Sequence, residues 1–124
     1  MSDKPKILYV DDEKINLMLF KYNFKNKYTV LTSLNGKVGL EVLESNPDIM
    51  VIICDMKMPV MNGYDFITKA KTVYPDKKFF MLSGYNITDE IEKAVDEGII
   101  LKYFTKPFDI QSMHDAIEKV IDTP

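Results

Sequence analysis

Four apolar runs in this chain each end in residues able to do chemistry. Lys6-Ile7-Leu8-Tyr9-Val10 ends in Asp11-Asp12, and Ile49-Met50-Val51-Ile52-Ile53-Cys54 ends in Asp55. Phe79-Phe80-Met81-Leu82 ends in Ser83-Gly84, and Leu101-Lys102-Tyr103-Phe104-Thr105 ends in Lys106-Pro107. If these runs are parallel strands, three acids, a hydroxyl and an ammonium meet at one edge of one sheet. Such a set can handle a phosphoryl group with a divalent metal, a task that rests on positioning and charge neutralisation.

Taken singly, each residue has an ordinary explanation. An Asp after a strand is commonly a turn or helix-cap residue, a lone lysine is usually solvated, and Ser83 is a strand-to-loop serine. Two adjacent acids are less comfortable, because like charges repel unless a cation intervenes. Magnesium takes oxygen ligands from few carboxylates and retains waters, so one of Asp11 and Asp12 together with Asp55 would suit it. Asp55 is also a candidate nucleophile toward phosphorus. Lys106, restrained between a strand and Pro107, can reach a carboxylate or phosphoryl oxygen across the strand ends. Ser83 can donate its hydroxyl, and Gly84 beside it permits close approach of a ligand. His114 has no Cys or His partner to complete a metal site and reads as a helix-surface residue.

The elements that must position these residues follow from periodicity. After the first strand, Ile15, Met18, Leu19 and Tyr22 fall on one helical face. Tyr28 to Ser33 is a second strand. Asn35-Gly36 is a turn signal, and Val38, Val42 and Leu43 after it mark a helix that stops near Asn46, before Pro47. Ile49 to Cys54 is apolar at every position, as in the centre of a parallel sheet. Asn62-Gly63 starts a helix with Phe66, Ile67, Ala70 and Val73. Lys77 to Leu82 is the fourth strand, and Ile91, Ala94 and Val95 mark a helix that Gly98 ends. Leu101 to Thr105 is the fifth strand, and Asp109 caps a last helix carrying Ile110, Met113, Ile117 and Val120. Five strand–helix units predict one α/β domain over residues 1–124, with helices on both faces of a parallel sheet. Ligands of such sheets gather beyond the C-terminal strand ends.

Composition narrows the function classes. A net charge of −3 argues against general nucleic-acid binding. All 16 basic residues are lysines, so any cationic phosphate contact is a point charge rather than a bidentate fork. No apolar stretch could span a membrane, and Met1 to Pro5 lacks the apolar core of a signal peptide. The single Cys54 lies in an apolar run and reads as a buried, reduced thiol, so a cytoplasmic location is expected. No Walker A, G-x-G-x-x-G or G-x-S-x-G sequence is present.

The ordered set Asp11-Asp12, Asp55, Ser83 and Lys106 resembles the receiver domain of two-component response regulators. Val10-Asp11-Asp12-Glu13, Asp55-Met56-Lys57-Met58-Pro59, Met61-Asn62-Gly63 and Thr105-Lys106-Pro107-Phe108 agree with it, and the likeness covers essentially the whole chain. It implies a five-stranded, doubly wound, flavodoxin-like sheet of order 2-1-3-4-5 in a three-layer α/β/α domain. It implies Asp55 as phosphoacceptor and Mg2+ held by Asp12, Asp55 and the Lys57 backbone carbonyl, with Asp11 assisting, often through water. Lys106 and Ser83 would contact the phosphoryl oxygens, with Gly84 beside them, and Tyr103 would be the switch aromatic. The implied donor is a sensor histidine kinase or histidine phosphotransfer protein. The implied output surface is the fourth helix, fifth strand and fifth helix, read by a downstream protein or an effector domain. A phosphorylation-dependent homodimer through that surface is compatible with the sequence, though no residue compels it. The domain would promote its own phosphorylation and dephosphorylation without turning over an external substrate.

Two other classes fit less well. A haloacid dehalogenase-type phosphatase needs Asp-x-Asp, which Asp55-Met56-Lys57 lacks. A flavin mononucleotide binder needs a hydroxyl- and glycine-rich loop after the first strand, and none is there. An unphosphorylated pseudo-receiver would not carry the complete acid, hydroxyl and lysine set. Ending just after its last helix, the chain shows no effector domain, as expected of a stand-alone receiver or one excised from a larger regulator. Lys57 and Tyr85, each two places beyond a site residue, are placed to restrict an attacking water. A Lys57→Ala, Tyr85→Ala double variant should therefore lose a phosphoryl group faster than the parent, and an unchanged hydrolysis rate would dispose of that role.

Overall fold

The computed structural model describes residues 4–58, 61–84 and 88–122. Five strands and five helices alternate: β1 (Lys6–Val10), α1 (Lys14–Phe24), β2 (Thr29–Ser33), α2 (Gly36–Ser45), β3 (Ile49–Asp55), α3 (Gly63–Val73), β4 (Lys78–Ser83), α4 (Asp89–Asp96), β5 (Lys102–Thr105) and α5 (Ile110–Asp122). All strand pairings are parallel, in the order β2-β1-β3-β4-β5. This is the doubly wound, flavodoxin-like α/β/α arrangement. Period-two alternation within the strands splits the core in two. Leu8, Val10, Ile52 and Cys54 pack on one face with Leu43, Phe66 and Ile91 from α2, α3 and α4. Ile7, Tyr9, Val51 and Ile53 pack on the other with Phe20, Phe24, Met113 and Ile117 from α1 and α5.

Local chemistry sets the helix starts. Asn35 and Asn62 each accept a hydrogen bond from the backbone N–H three residues on, at 2.9 Å, and Thr88 does the same for Ile91 at 3.2 Å. Asp109 accepts from Ser112 N–H at 2.8 Å and so caps α5 as its position predicts. Gly98 ends α4 in the left-handed region, at φ 78°. Strand boundaries differ from the sequence reading by one residue: β2 begins at Thr29, β4 spans Lys78–Ser83 and β5 begins at Lys102.

Several packing expectations change, among them Val73 of α3, which is 65% exposed, and Val38 of α2 and Ile110 of α5, which are also exposed. On α1 the buried residues are Leu17, Phe20 and Phe24, whereas Ile15, Met18, Leu19 and Tyr22 are 55–70% exposed. The helix is apolar on two stripes, and periodicity cannot choose between them. The stripe carrying Phe20 wins because its ring stacks on Tyr9 of β1, with centroids 4.1 Å apart. On β3, Met50 is exposed although its neighbours are buried. Pairing with β1 jumps from Lys6↔Ile49 to Ile7↔Val51, and Met50 is the extra, unpaired residue of that irregularity. His114 is half-buried rather than a surface residue, since it flanks the inward stripe of Met113 and Ile117 and lies 6.0 Å from the Tyr28 ring.

Gly39, a costly residue inside a helix, finds its reason here. A Cβ on it would lie 2.9 Å from the fully buried Phe66 ring and 3.4 Å from Val10. The missing side chain lets α2 close onto α3 and β1. Gly39→Ala should therefore destabilise the domain by about 1–3 kcal/mol through overpacking, against a helix-propensity gain of up to about 1 kcal/mol. Urea unfolding measures the sign, and a more stable variant would contradict this account.

Candidate functional site

The C-terminal ends of β1, β3, β4 and β5 bring the predicted residues to one edge. Asp11 follows β1, its N–H donating to Ser33 O of the neighbouring strand at 3.1 Å. Asp55 closes β3 opposite Leu82, and Ser83 is one residue further along β4, beside Thr105. Lys106 follows β5, tied by its N–H to Ser83 O at 2.8 Å, and the Lys106-Pro107 peptide is cis. Ligand oxygens of Asp11, Asp12 and Asp55 all lie within 4.8 Å of one another. Asp11 and Asp55 are buried and Asp12 is exposed. A hard divalent cation fits this all-carboxylate donor set, which is open to water on the Asp12 side.

Lys106 holds the cluster together. Its ammonium lies 3.1 Å from Asp55 Oδ2 and 3.4 Å from Asp11 Oδ2. Asp11 accepts several further hydrogen bonds. Its Oδ2 accepts from Tyr9 OH at 2.7 Å and Asn16 Nδ2 at 3.3 Å, and its Oδ1 from Glu13 N–H at 3.0 Å. Tyr9 and Asn16 were not singled out from sequence. The available signal was spacing: Tyr9 and Asp11 are two residues apart at a strand end, which puts both side chains on the same face.

Gly63 supports the site from below. Its N–H donates to Met56 O at 2.8 Å, and a Cβ there would collide with Asp55 O and lie 2.9 Å from Met56 Cα. Only glycine lets α3 begin against the end of the strand that carries Asp55. Gly84 is exposed, with open space where a Cβ would be. Tyr103 is half-buried and packs on the core face shared by α2, α3 and α4. The Lys57 side chain is exposed. Tyr85 and Pro59 lie outside the described residues, so the pairing of Lys57 with Tyr85 above the site does too.

Burial raises the Asp55 carboxyl above its ordinary 3.8. The hydrogen bond and charge of Lys106 pull it back, the Asp11 charge adds to the rise, and the Lys57 N–H lowers it. Burial alone would draw the Lys106 ammonium down, but the hydrogen bond and charge of Asp55, with Asp11 behind, raise it above 10.5. The two shifts do not mirror each other, because Lys106 is outweighed at Asp55 by burial and a second acid. Burial, then the hydrogen bond to Asp11, pushes the Tyr9 phenol far above its ordinary value, so it stays a donor.

The sign of the Asp55 shift has a consequence for stability. A carboxyl whose folded pKa exceeds its unfolded one favours the fold fully below pH 3.8, and that contribution is lost as pH rises through the folded value. Once ionised, above its folded value, Asp55 therefore works against folding. Asp55→Asn should raise the unfolding midpoint at pH 7 in chelator by a few degrees, the size that about 1 kcal/mol produces in a domain of this length. Added magnesium should raise the parent's midpoint and leave the variant's nearly unchanged. Thermal unfolding followed by circular dichroism checks both, and a variant less stable than the parent in chelator would contradict the sign.

Comparison with known proteins agrees with this geometry. A family model described as the response regulator receiver domain matches residues 7–118. The chain is 30% identical over 118 residues to the sporulation initiation phosphotransferase F of Bacillus subtilis, covering 94% of this chain and 93% of that one. It is 30% identical to a chemotaxis protein CheY homolog of Campylobacter jejuni, covering 95% and 93% of the two chains. A crystal structure of a response regulator receiver domain protein from Clostridium thermocellum superposes with a TM-score of 0.89 at 32% identity, covering 95% and 94%. The order of the strands, the acid cluster at their C-terminal ends and these likenesses give one conclusion: this chain belongs to the response regulator receiver domain family.

Proposed function

We propose that Asp55 is the residue this receiver phosphorylates, taking its phosphoryl group from a phosphohistidine on a sensor kinase or a phosphotransfer protein. The observation that carries this is Lys106, whose ammonium sits 3.1 Å from Asp55 and so marks where charge must be neutralised. In the reaction an Asp55 carboxylate oxygen bonds to phosphorus as the donor's P–N bond breaks, and the imidazole leaves with that electron pair. Lys106 stabilises the equatorial oxygens, and Ser83 donates its hydroxyl to one of them. Mg2+ held by Asp12, Asp55 and the Lys57 carbonyl, with Asp11 assisting through water, would supply further charge neutralisation. The product stays on the protein, which makes the domain a signalling module rather than a turnover enzyme.

The exposed face of α1 supports a docking route for the donor. Ile15, Met18, Leu19 and Tyr22 form an exposed apolar stripe. Leu19 also lines a cleft of about 420 Å3 with Asn16, Lys106, Phe108 and Ile110, beside the acid cluster. A helical histidine-bearing domain laid on this stripe would bring its imidazole to the strand ends. On the other side, Ser83 drawn toward the phosphoryl group would shift its loop and let Tyr103 turn inward. That movement would change the surface of α4, β5 and α5 that a downstream protein or effector domain reads. No described helix is long and apolar enough to cross a membrane.

Incubation with magnesium and a small phosphodonor should label the parent and not Asp55→Asn. Met18→Glu with Leu19→Glu should keep that labelling and slow transfer from the cognate phosphohistidine donor by roughly tenfold or more. Tyr103→Ala should keep labelling and weaken discrimination by the downstream partner. Full labelling of Asp55→Asn would remove the central reading. Transfer unaffected on the charged α1 would remove the docking face.

A further inference from the structure

The phenol of Tyr9 is the nearest of the donors described on Asp11, yet the chemistry above gives it no task. Its hydroxyl reaches Asp11 Oδ2 at 2.7 Å, against 3.3 Å for Asn16 and 3.4 Å for Lys106. The ring is 2% exposed and lies parallel to Phe20, with centroids 4.1 Å apart and planes 6° apart. Phe20 is braced in turn by Phe24 at 4.5 Å and Phe108 at 6.2 Å. The hydroxyl is therefore aimed by packing rather than free to rotate away. A phenol donating to a carboxylate at this length is a charge-assisted bond.

Asp11 and Asp55 compete for one ammonium, since Lys106 reaches both. A carboxylate already given a strong neutral donor attracts a cation less than a bare one. With Tyr9 and Asn16 on Asp11 Oδ2, Lys106 sits 0.3 Å nearer Asp55 than Asp11, the difference between 3.4 and 3.1 Å. We propose that Tyr9 is a positioning residue which, by occupying Asp11 Oδ2, directs Lys106 to Asp55. This rests on the reading of Asp55 as phosphoacceptor. Tyr9 acts through Lys106 and need not touch the phosphoryl group. A tyrosine at this place thus sets how well the lysine is presented, and Asn16 is its weaker partner.

Tyr9→Phe removes the hydroxyl and keeps the stacked ring, so the fold is preserved. Its crystal structure should show Lys106 Nζ closer to Asp11 than to Asp55. Labelling by a small phosphodonor should slow by roughly tenfold, the size of one lost hydrogen bond to a charged group. Magnesium affinity, measured by amide shifts in a titration, should change by less than about threefold, well short of one tenfold step. Lys106→Met should slow labelling by about a hundredfold, and Tyr9→Phe added to it should cause no further loss. An effect that adds in full would make Tyr9 independent of Lys106 and overturn the proposal, as would Lys106 staying on Asp55 in the Tyr9→Phe crystal. If the parent itself is not labelled, the phosphoacceptor reading fails, and the crystal structure still decides what directs Lys106.

Discussion

One ammonium shared between two buried carboxylates is the constraint that organises this domain. At a separation of 4.8 Å, the outer limit of this cluster, two ionised carboxylates repel by roughly 3–4 kcal/mol at the effective dielectric of a protein site, and three of them share this edge. Lys106 offsets part of that cost, with Asp55 at 3.1 Å and Asp11 at 3.4 Å. Burial, with the Asp11 charge a smaller contribution, keeps the proton affinity of Asp55 raised despite the lysine. A site in this condition attracts further positive charge and resists a second anion until that charge arrives. That is the electrostatic state a metal-assisted phosphoryl acceptor requires.

The scaffold places this strain where it can be used. Parallel strands put Asp11, Asp55, Ser83 and Lys106 at one edge because each residue terminates or follows its strand. Glycines allow the helices to close in: Gly63 against the backbone of Asp55 and Gly39 against Phe66. A packed stack of Tyr9, Phe20 and Phe24 under α1 fixes the phenol that Asp11 accepts. Core packing and site geometry are thus continuous on the α1 side, while the half-buried Tyr103 borders the other core face.

Much of this was legible in the sequence, and the remainder was hidden for identifiable reasons. Apolar runs ending in Asp, Ser and Lys announced the strand ends, and alternation with helices announced the parallel sheet. The cap at Asp109 and the helix opening at Asn62 were readable because their side chains act within three residues. The buried face of α1 was not readable, since both of its stripes are apolar and the choice depends on the ring of Tyr9 across the interface. Met50 was hidden because a register shift belongs to two strands and not to one. The role of Gly39 depends on a phenylalanine 27 positions away, at residue 66. Tyr9 looked like one more apolar strand residue, and only its spacing from Asp11 hinted otherwise. Local signals survived in the sequence; contacts between distant segments did not.

The most direct test of the central claim is chemical mapping of the phosphorylated residue. The labelled protein is reduced with borohydride, which converts an aspartyl phosphate to homoserine, and its peptides are sequenced by mass spectrometry. The account predicts homoserine at position 55 and unaltered Asp11 and Asp12. Homoserine at another carboxylate, with Asp55 intact, would contradict it.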